Sequence, residues 1–134
     1  MIIGIGSDIC NIQRIEEMIQ KHPQSYMRRF FSASEQAEIN SRDKISEREY
    51  ACRIAKRFAA KEACSKALGT GLRSGTYWKD MQIIHLQSGK PELHLSGGAL
   101  NNLQKLAPSE KFACHVSMSD DYPWAQAFVI IETI

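Results

Sequence analysis

Apolar and polar positions change their period several times along this chain, and each change marks an element. Ile2 to Ser7 is a β-branched run interrupted by Gly4 and Gly6. It predicts a short buried strand whose glycines admit a second backbone or a ligand, with Asp8 at its end. Asn11 has the side chain of an N-cap. Ile12, Ile15 and Ile19 mark one face of a helix over 12–20, and Pro23 breaks it. A short helix over 25–31 carries Tyr26, Phe30 and the pair Arg28 and Arg29. Ser32 with Glu35 forms a capping box and opens a helix over 33–41. Residues 43–46 read as a polar break. Ser46 with Glu49 repeats the box and starts a long helix that runs to Leu68 and stops at Gly69, a left-handed C-cap. Its stripe of Ala51, Ile54, Ala55, Phe58, Ala59, Ala63 and Ala67 is small enough for another element to approach closely.

The second half changes period. Residues 69–75 are a glycine-rich, basic connection. Residues 81–86 and 92–95 read as two strands of a hairpin turning at 88–91, and Leu100, Leu103 and Leu106 mark a helix over 98–106. Residues 111–119 and 125–131 alternate as two further strands around the Asp120-Asp121-Tyr122-Pro123 turn. No repeat or linker divides the chain. It reads as a single domain over 1–134 of the α/β (α+β) class: one strand, a helical block, then a mainly antiparallel sheet with one further helix.

Composition narrows the function classes. A chain of 134 residues with 43% hydrophobic and 24% charged content can bury a real core. A net charge of +2 gives no general case for nucleic-acid or membrane binding. The four cysteines, at 10, 52, 64 and 114, have no paired spacing and read as free thiols of a reducing compartment. The apolar start lacks a basic segment before it, so the expectation is a soluble, cytoplasmic protein.

The long helix carries the candidate chemistry. Glu62 and Lys66 lie one turn apart, near its alanine-rich face. On a surface such a pair merely supports the helix, whereas a buried ion pair is a poor way to gain stability. Asp8 reads either as a cap for the helix after it or as a second carboxylate beside Glu62. Two hard oxygen ligands with open positions suit Mg²⁺ better than Zn²⁺. A lysine beside a metal-bound phosphate can neutralise developing charge and protonate a leaving oxygen. The Gly69–Gly75 loop, with Arg73, can wrap backbone N–H groups around phosphate, although it lacks the Walker A spacing. Arg53, Lys56, Arg57 and Lys61 form a basic edge, either a solvated face or an anion contact. His115 on its strand is more often a hydrogen-bonded residue than a catalyst, and the other histidines share no metal spacing.

In order along the chain, the segments Gly4-Ile5-Gly6-Ser7-Asp8-Ile9, Arg57-Phe58-Ala59-Ala60-Lys61-Glu62-Ala63, Lys66-Ala67-Leu68-Gly69, Trp78-Lys79-Asp80-Met81, Gly89-Lys90-Pro91 and His115-Val116-Ser117-Met118-Ser119 resemble the stand-alone holo-[acyl-carrier-protein] synthase family, the short 4′-phosphopantetheinyl transferases. The resemblance implies that family's fold, with a mainly antiparallel sheet on a long helix. It also implies Mg²⁺-dependent transfer of phosphopantetheine from coenzyme A to a serine of apo-acyl carrier protein, supporting fatty acid synthesis. Asp8 and Glu62 match the metal ligands, and Lys66 the group that meets the departing phosphate. Arg57, Gly69, Gly71, Arg73, Gly89, Lys90, Pro91 and His115 match segments that bind coenzyme A. Arg14, Arg28 and Arg29 suit docking of the acidic carrier. The half-length form implies a homotrimer with sites between subunits. One departure is Asp120-Asp121, where the family commonly has another histidine or threonine.

Overall fold

At the centre of the molecule a strand and a helix meet backbone to backbone. In the computed structural model, which describes residues 1–41 and 45–134, β1 (Ile2–Asn11) packs on α4 (Glu47–Ala67). A Cβ on Gly6 would come within 1.8 Å of the Ala63 carbonyl oxygen, and one on Gly4 within 2.2 Å of the Ala67 oxygen. No side chain fits there, so two glycines and two alanines from distant stretches form one packing device.

The remaining elements assemble around that contact. Asn11 caps α1 (Ile12–Lys21), its side chain accepting from the Gln13 N–H at 3.0 Å. α2 (Ser25–Phe30) leads into α3 (Ala33–Ile39), where the Ser32–Glu35 capping box is closed in both directions. Ser46 caps α4 through the Glu49 N–H at 3.1 Å, and Gly69 ends it at φ +79°. A 3₁₀ turn, Trp78–Asp80, which the pattern did not predict, precedes β2 (Met81–His85) and β3 (Pro91–Leu95). Then come α5 (Gly97–Leu106), β4 (Phe112–Asp121) and β5 (Trp124–Thr133). The expected single sheet is two: an antiparallel β1-β5-β4 sheet and a separate β2-β3 hairpin.

Helix α4 divides two cores. On one side Ala60, Cys64, Met81, Ile83, Leu103, Val129 and Ile131 pack among the sheet, the hairpin and α5. On the other, Ile12, Ile15, Met27, Phe31, Ile39 and Ile54 join the helical block. A helix covered on both flanks needs small residues, which accounts for its alanines. No helix is long and apolar enough to cross a membrane among the described residues.

Three expectations change. β1 does not stop at Asp8; its pairing with β5 continues to Asn11 and sets Asp8 opposite Ala127, inside the strand. Glu62 and Lys66 are not on α4's buried face: Glu62 is half-buried and Lys66 exposed, while Arg57 and Lys61 are the buried charges. The reason is that α3 and the hairpin cover the side of α4 that reads as a basic edge. Of the polar break, Asp43 and Lys44 lie outside the described residues.

Candidate active site

Alternation along β1 puts Gly4, Gly6, Asp8 and Cys10 on the face toward α4, so the glycine contacts that seat the strand also aim Asp8 at the helix. There Lys66 Nζ donates to Asp8 Oδ1 at 3.1 Å and to the Ser7 carbonyl at 2.9 Å. Glu62 stands one turn before Lys66. Burial pushes its carboxyl above the usual carboxylate range, the charge on Asp8 pushes it further, and Lys66 opposes both. Two carboxylates from separate elements therefore sense each other across this contact.

A hollow of about 290 Å³ opens over the pair, lined by Asp8, Cys10, Arg14, Met18, Phe58 and Glu62. A second, of about 280 Å³, reaches Asp8 and Lys66 from the other side, past Ser7, Gln126 and Phe128. Asp8 thus sits at the rim of both. Burial, and then Asp8, push the Cys10 thiol up to about 11, which keeps it neutral and unreactive.

Phe58 also belongs to an aromatic cluster that the sequence pattern left unassembled. Its ring stacks on Trp78 with centroids 4.8 Å apart, and Phe30 meets both edge-on at 5.6 and 4.8 Å. Arg29 lies over Phe30 and lines a further hollow with Tyr77 and Trp78. Arg14 and Arg29 thus flank one aromatic wall, whereas Arg28 faces a different hollow beside Met27 and Tyr50.

The expected nucleotide contacts fall in two places. Arg57 and Gly89 line a cleft of about 350 Å³ together with Arg53, Lys56, Glu38 and His85. Lys90 and Pro91 follow in the same turn, where Gly89 takes φ +91° and the Lys90 carbonyl accepts from the Leu86 N–H. Gly69, Gly71 and Arg73 belong to a loop held from beneath. Asn102 of α5 donates to the Ser74 carbonyl at 2.8 Å and to Thr76 Oγ1 at 2.9 Å, and Thr76 meets Thr70 at 3.0 Å. Asn102 and Thr76 had no signal beyond being polar residues in apolar surroundings.

His115 is not brought to Asp8 and Glu62. It points to the opposite face of the sheet, where its Nε2 meets Glu132 Oε1 at 3.0 Å. Asp120, the departure from the family pattern, pairs with Lys56 on α4 at 3.2 Å.

Lys61 turns out to be structural. Its side chain is 0% exposed, and its Nζ donates to Glu35 Oε1 at 2.7 Å, Trp78 O at 2.8 Å and Phe30 O at 2.9 Å. Glu35 also accepts from the Ser32 and Ile83 N–H groups. Burial lowers the pKa of Lys61, and Glu35 opposes that. The pair ties α2, α3, the Trp78 turn and β2 to α4, one residue before Glu62.

Comparison with known proteins identifies the family and the fold. The 4′-phosphopantetheinyl transferase superfamily profile matches residues 4–127. The chain is 51% identical to a holo-[acyl-carrier-protein] synthase of Mesorhizobium japonicum, over 100% of this chain and 95% of that one. The crystal structure of the Neisseria meningitidis holo-[acyl-carrier-protein] synthase superposes with TM-score 0.80 at 36% identity, covering 98% of this chain and 99% of that one. The Helicobacter pylori synthase, solved in complex with coenzyme A, gives TM-score 0.78 at 29% identity over 96% and 99% of the two chains. This chain belongs to the holo-[acyl-carrier-protein] synthase family of the 4′-phosphopantetheinyl transferase superfamily.

Proposed function

We propose that this chain transfers the 4′-phosphopantetheine group of coenzyme A to a serine of an apo-acyl carrier protein, with Asp8, Glu62 and Lys66 at the reacting end. The names of its relatives and the coenzyme A bound to one of them support the activity. One observation carries the residue assignment: Asp8 and Glu62 line one open hollow, with Lys66 spanning to Asp8 at its rim.

Two carboxylates fit Mg²⁺, an ion that keeps several waters and takes phosphate oxygens from its substrate. Among the described residues no cluster of three or more His, Cys, Asp or Glu offers a fuller cage. When bound, Mg²⁺ supplies Lewis-acid polarisation of the pyrophosphate. Asp8 and Glu62 would hold and orient the ion. Lys66 then meets the departing phosphate oxygen, neutralising its charge and donating a proton. The carrier serine gives up its proton to a carboxylate acting as base while its oxygen forms the new bond to the β-phosphate; the P–O–P bond breaks, and adenosine 3′,5′-bisphosphate leaves.

Arg57, Gly69, Gly71, Arg73, Gly89, Lys90 and Pro91 hold the nucleotide in this reading, supported by the basic cleft at Arg57 and Gly89. The acidic carrier docks at Arg14, Arg28 and Arg29, so charge reversal at Arg14 should raise the KM for carrier and flatten its salt dependence. The chain works in the cytoplasm as a homotrimer. Ile5, Ile9 and Phe128 support that assembly: they are 64%, 63% and 44% exposed on the sheet face that also carries His115. A neighbour covering that face would give His115 a route to an adjoining nucleotide pocket. Sedimentation should give the mass of three chains; a monomer would overturn the shared site.

The deciding experiment incubates the chain with coenzyme A, Mg²⁺ and apo-carrier and weighs the carrier intact. A gain of one phosphopantetheinyl group is expected, abolished by chelator. No gain with several carriers would sink the proposal.

A further inference from the structure

The basic cleft at Arg57 contains a hydrogen-bond arrangement that serves no purpose in the transfer chemistry above. Arg57 is 5% exposed. Its Nη1 donates to the Arg53 carbonyl at 3.2 Å and its Nη2 to Glu38 Oε1 at 3.0 Å, while its buried Nε has no hydrogen-bond partner. Glu38 accepts the backbone N–H of His85 at 3.1 and 3.2 Å, one distance to each carboxylate oxygen. The Nδ1 of His85 makes a short contact with the same Oε1 and lies 3.2 Å from Arg57 Nη2.

Two side-chain groups thus compete for one carboxylate oxygen. With its proton on Nδ1, His85 donates to Glu38 Oε1 beside Arg57, the two donors sharing one acceptor. With the proton on Nε2, it accepts from Arg57 but turns a lone pair toward the carboxylate. The first arrangement satisfies all three groups, and it leaves His85 on Glu38 whether or not Arg57 stays. If an anion draws the guanidinium off Oε1, His85 Nδ1–H becomes the single side-chain donor to Glu38, and the carboxylate is not left bare. A half-buried carboxylate stripped of a charged donor would otherwise resist the exchange.

We propose that His85 and Glu38 are positioning residues that let Arg57 swing from an internal ion pair onto an anionic group of coenzyme A in this cleft. The inference rests on the assignment of Arg57 to the nucleotide. Arg53 donates to the Ile39 carbonyl and Lys56 pairs with Asp120 at the cleft's edge, whereas Arg57 holds an acceptor, Glu38, that His85 also serves. Glu38 is then a competitor for Arg57 as well as its holder, and His85 sets how readily it lets go.

The test measures steady-state transfer with coenzyme A varied at saturating carrier, and direct binding of adenosine 3′,5′-bisphosphate to the Mg²⁺-loaded chain. His85 is half-buried, so His85→Ala should fold. It should raise the KM for coenzyme A and the bisphosphate Kd by about three- to tenfold, the scale of one ordinary hydrogen bond, with kcat and the KM for carrier unchanged. His85→Asn places an amide donor near Nδ1 and should recover most of the loss. Adding Glu38→Gln to His85→Ala should also recover affinity, because the competing charge is gone. A purely structural role predicts the opposite, a further loss. The proposal fails if His85→Ala leaves the KM for coenzyme A within about twofold of the parent while Arg57→Ala raises it. It fails equally if the double variant binds more weakly than His85→Ala. If Arg57→Ala itself leaves the KM unchanged, the assignment of Arg57 to the nucleotide is wrong, and the inference falls with it.

Discussion

Two of helix α4's lysines, Lys61 and Lys66, lie little more than a turn apart and live under opposite conditions. Lys61 is sealed, with three acceptors for its three protons and a partner, Glu35, whose oxygens are also taken. Lys66 has a side chain 53% exposed and touches Asp8 and the Ser7 carbonyl, and a hollow opens on it. A charge whose hydrogen bonds are all spent inside the protein fixes geometry. A charge with a proton to spare at the rim of a cavity is available to a ligand. The contrast also explains why Glu62 is precise in its placement: the sealed pair pins the helix immediately before it.

The largest effect should come from the open site. Asp8→Ala or Glu62→Gln should cut transfer by at least about 10³-fold while circular dichroism stays native, since each removes one of the two carboxylates proposed to hold Mg²⁺. Retained activity in either variant would leave the two carboxylates without a function. The sealed pair should fail in the other currency. Lys61→Ala leaves Glu35 buried and unpaired and should cost about 3–5 kcal/mol of folding free energy by denaturant titration. Replacing both members together, as Lys61→Met with Glu35→Gln, should cost less than the single change, because no bare charge remains. A cost equal to that of a surface substitution would show that the pair is not sealed.

Lys66→Ala sharpens the comparison from the other side. It should lower kcat by about 10²-fold with little change in the denaturation midpoint, because the Asp8–Lys66 pair is exposed and contributes little stability. The smallest effect is one of sign. Burial and Asp8 raise the pKa of Glu62 above its unfolded value, so the folded chain holds that proton more tightly than the unfolded chain does. The ionised carboxylate therefore opposes folding at neutral pH, and the opposition fades as pH falls through the raised pKa. Without metal, Glu62→Gln should melt above the parent at neutral pH, by a margin that shrinks in acid. Adding Mg²⁺ should raise the melting temperature of the parent and leave that of the variant unmoved. An unchanged parent with millimolar Mg²⁺ would argue that Asp8 and Glu62 do not bind it.

Much of the local structure was legible because its causes are local. Ser32 with Glu35, Ser46 before Glu49, Asn11 before its isoleucines and Gly69 after Leu68 each satisfy orphan backbone groups within a few residues. The expectation that the β1 glycines and α4 alanines meet other backbone was also correct, since small residues in apolar runs have few other uses. Identifying the partner was beyond that reasoning. Asp8 was misplaced at a strand end because β1's last residues pair only through β5, more than a hundred positions along the chain. Lys61 was read with a basic edge because its acceptors come from Phe30, Glu35 and Trp78, three separate stretches.

By itself, the sequence determined where helices begin and end, which residues are small enough to sit at a crossing, and which charges stand in family order. Those follow from short-range hydrogen bonding, side-chain volume and spacing. Only the tertiary structure decided which of α4's charges are sealed and which are free. Burial depends on what covers a face, and the covers of this helix come from both ends of the chain. A lysine of this helix is a structural clamp where α3 and the hairpin close over it, and an open ion pair where β1 leaves a hollow.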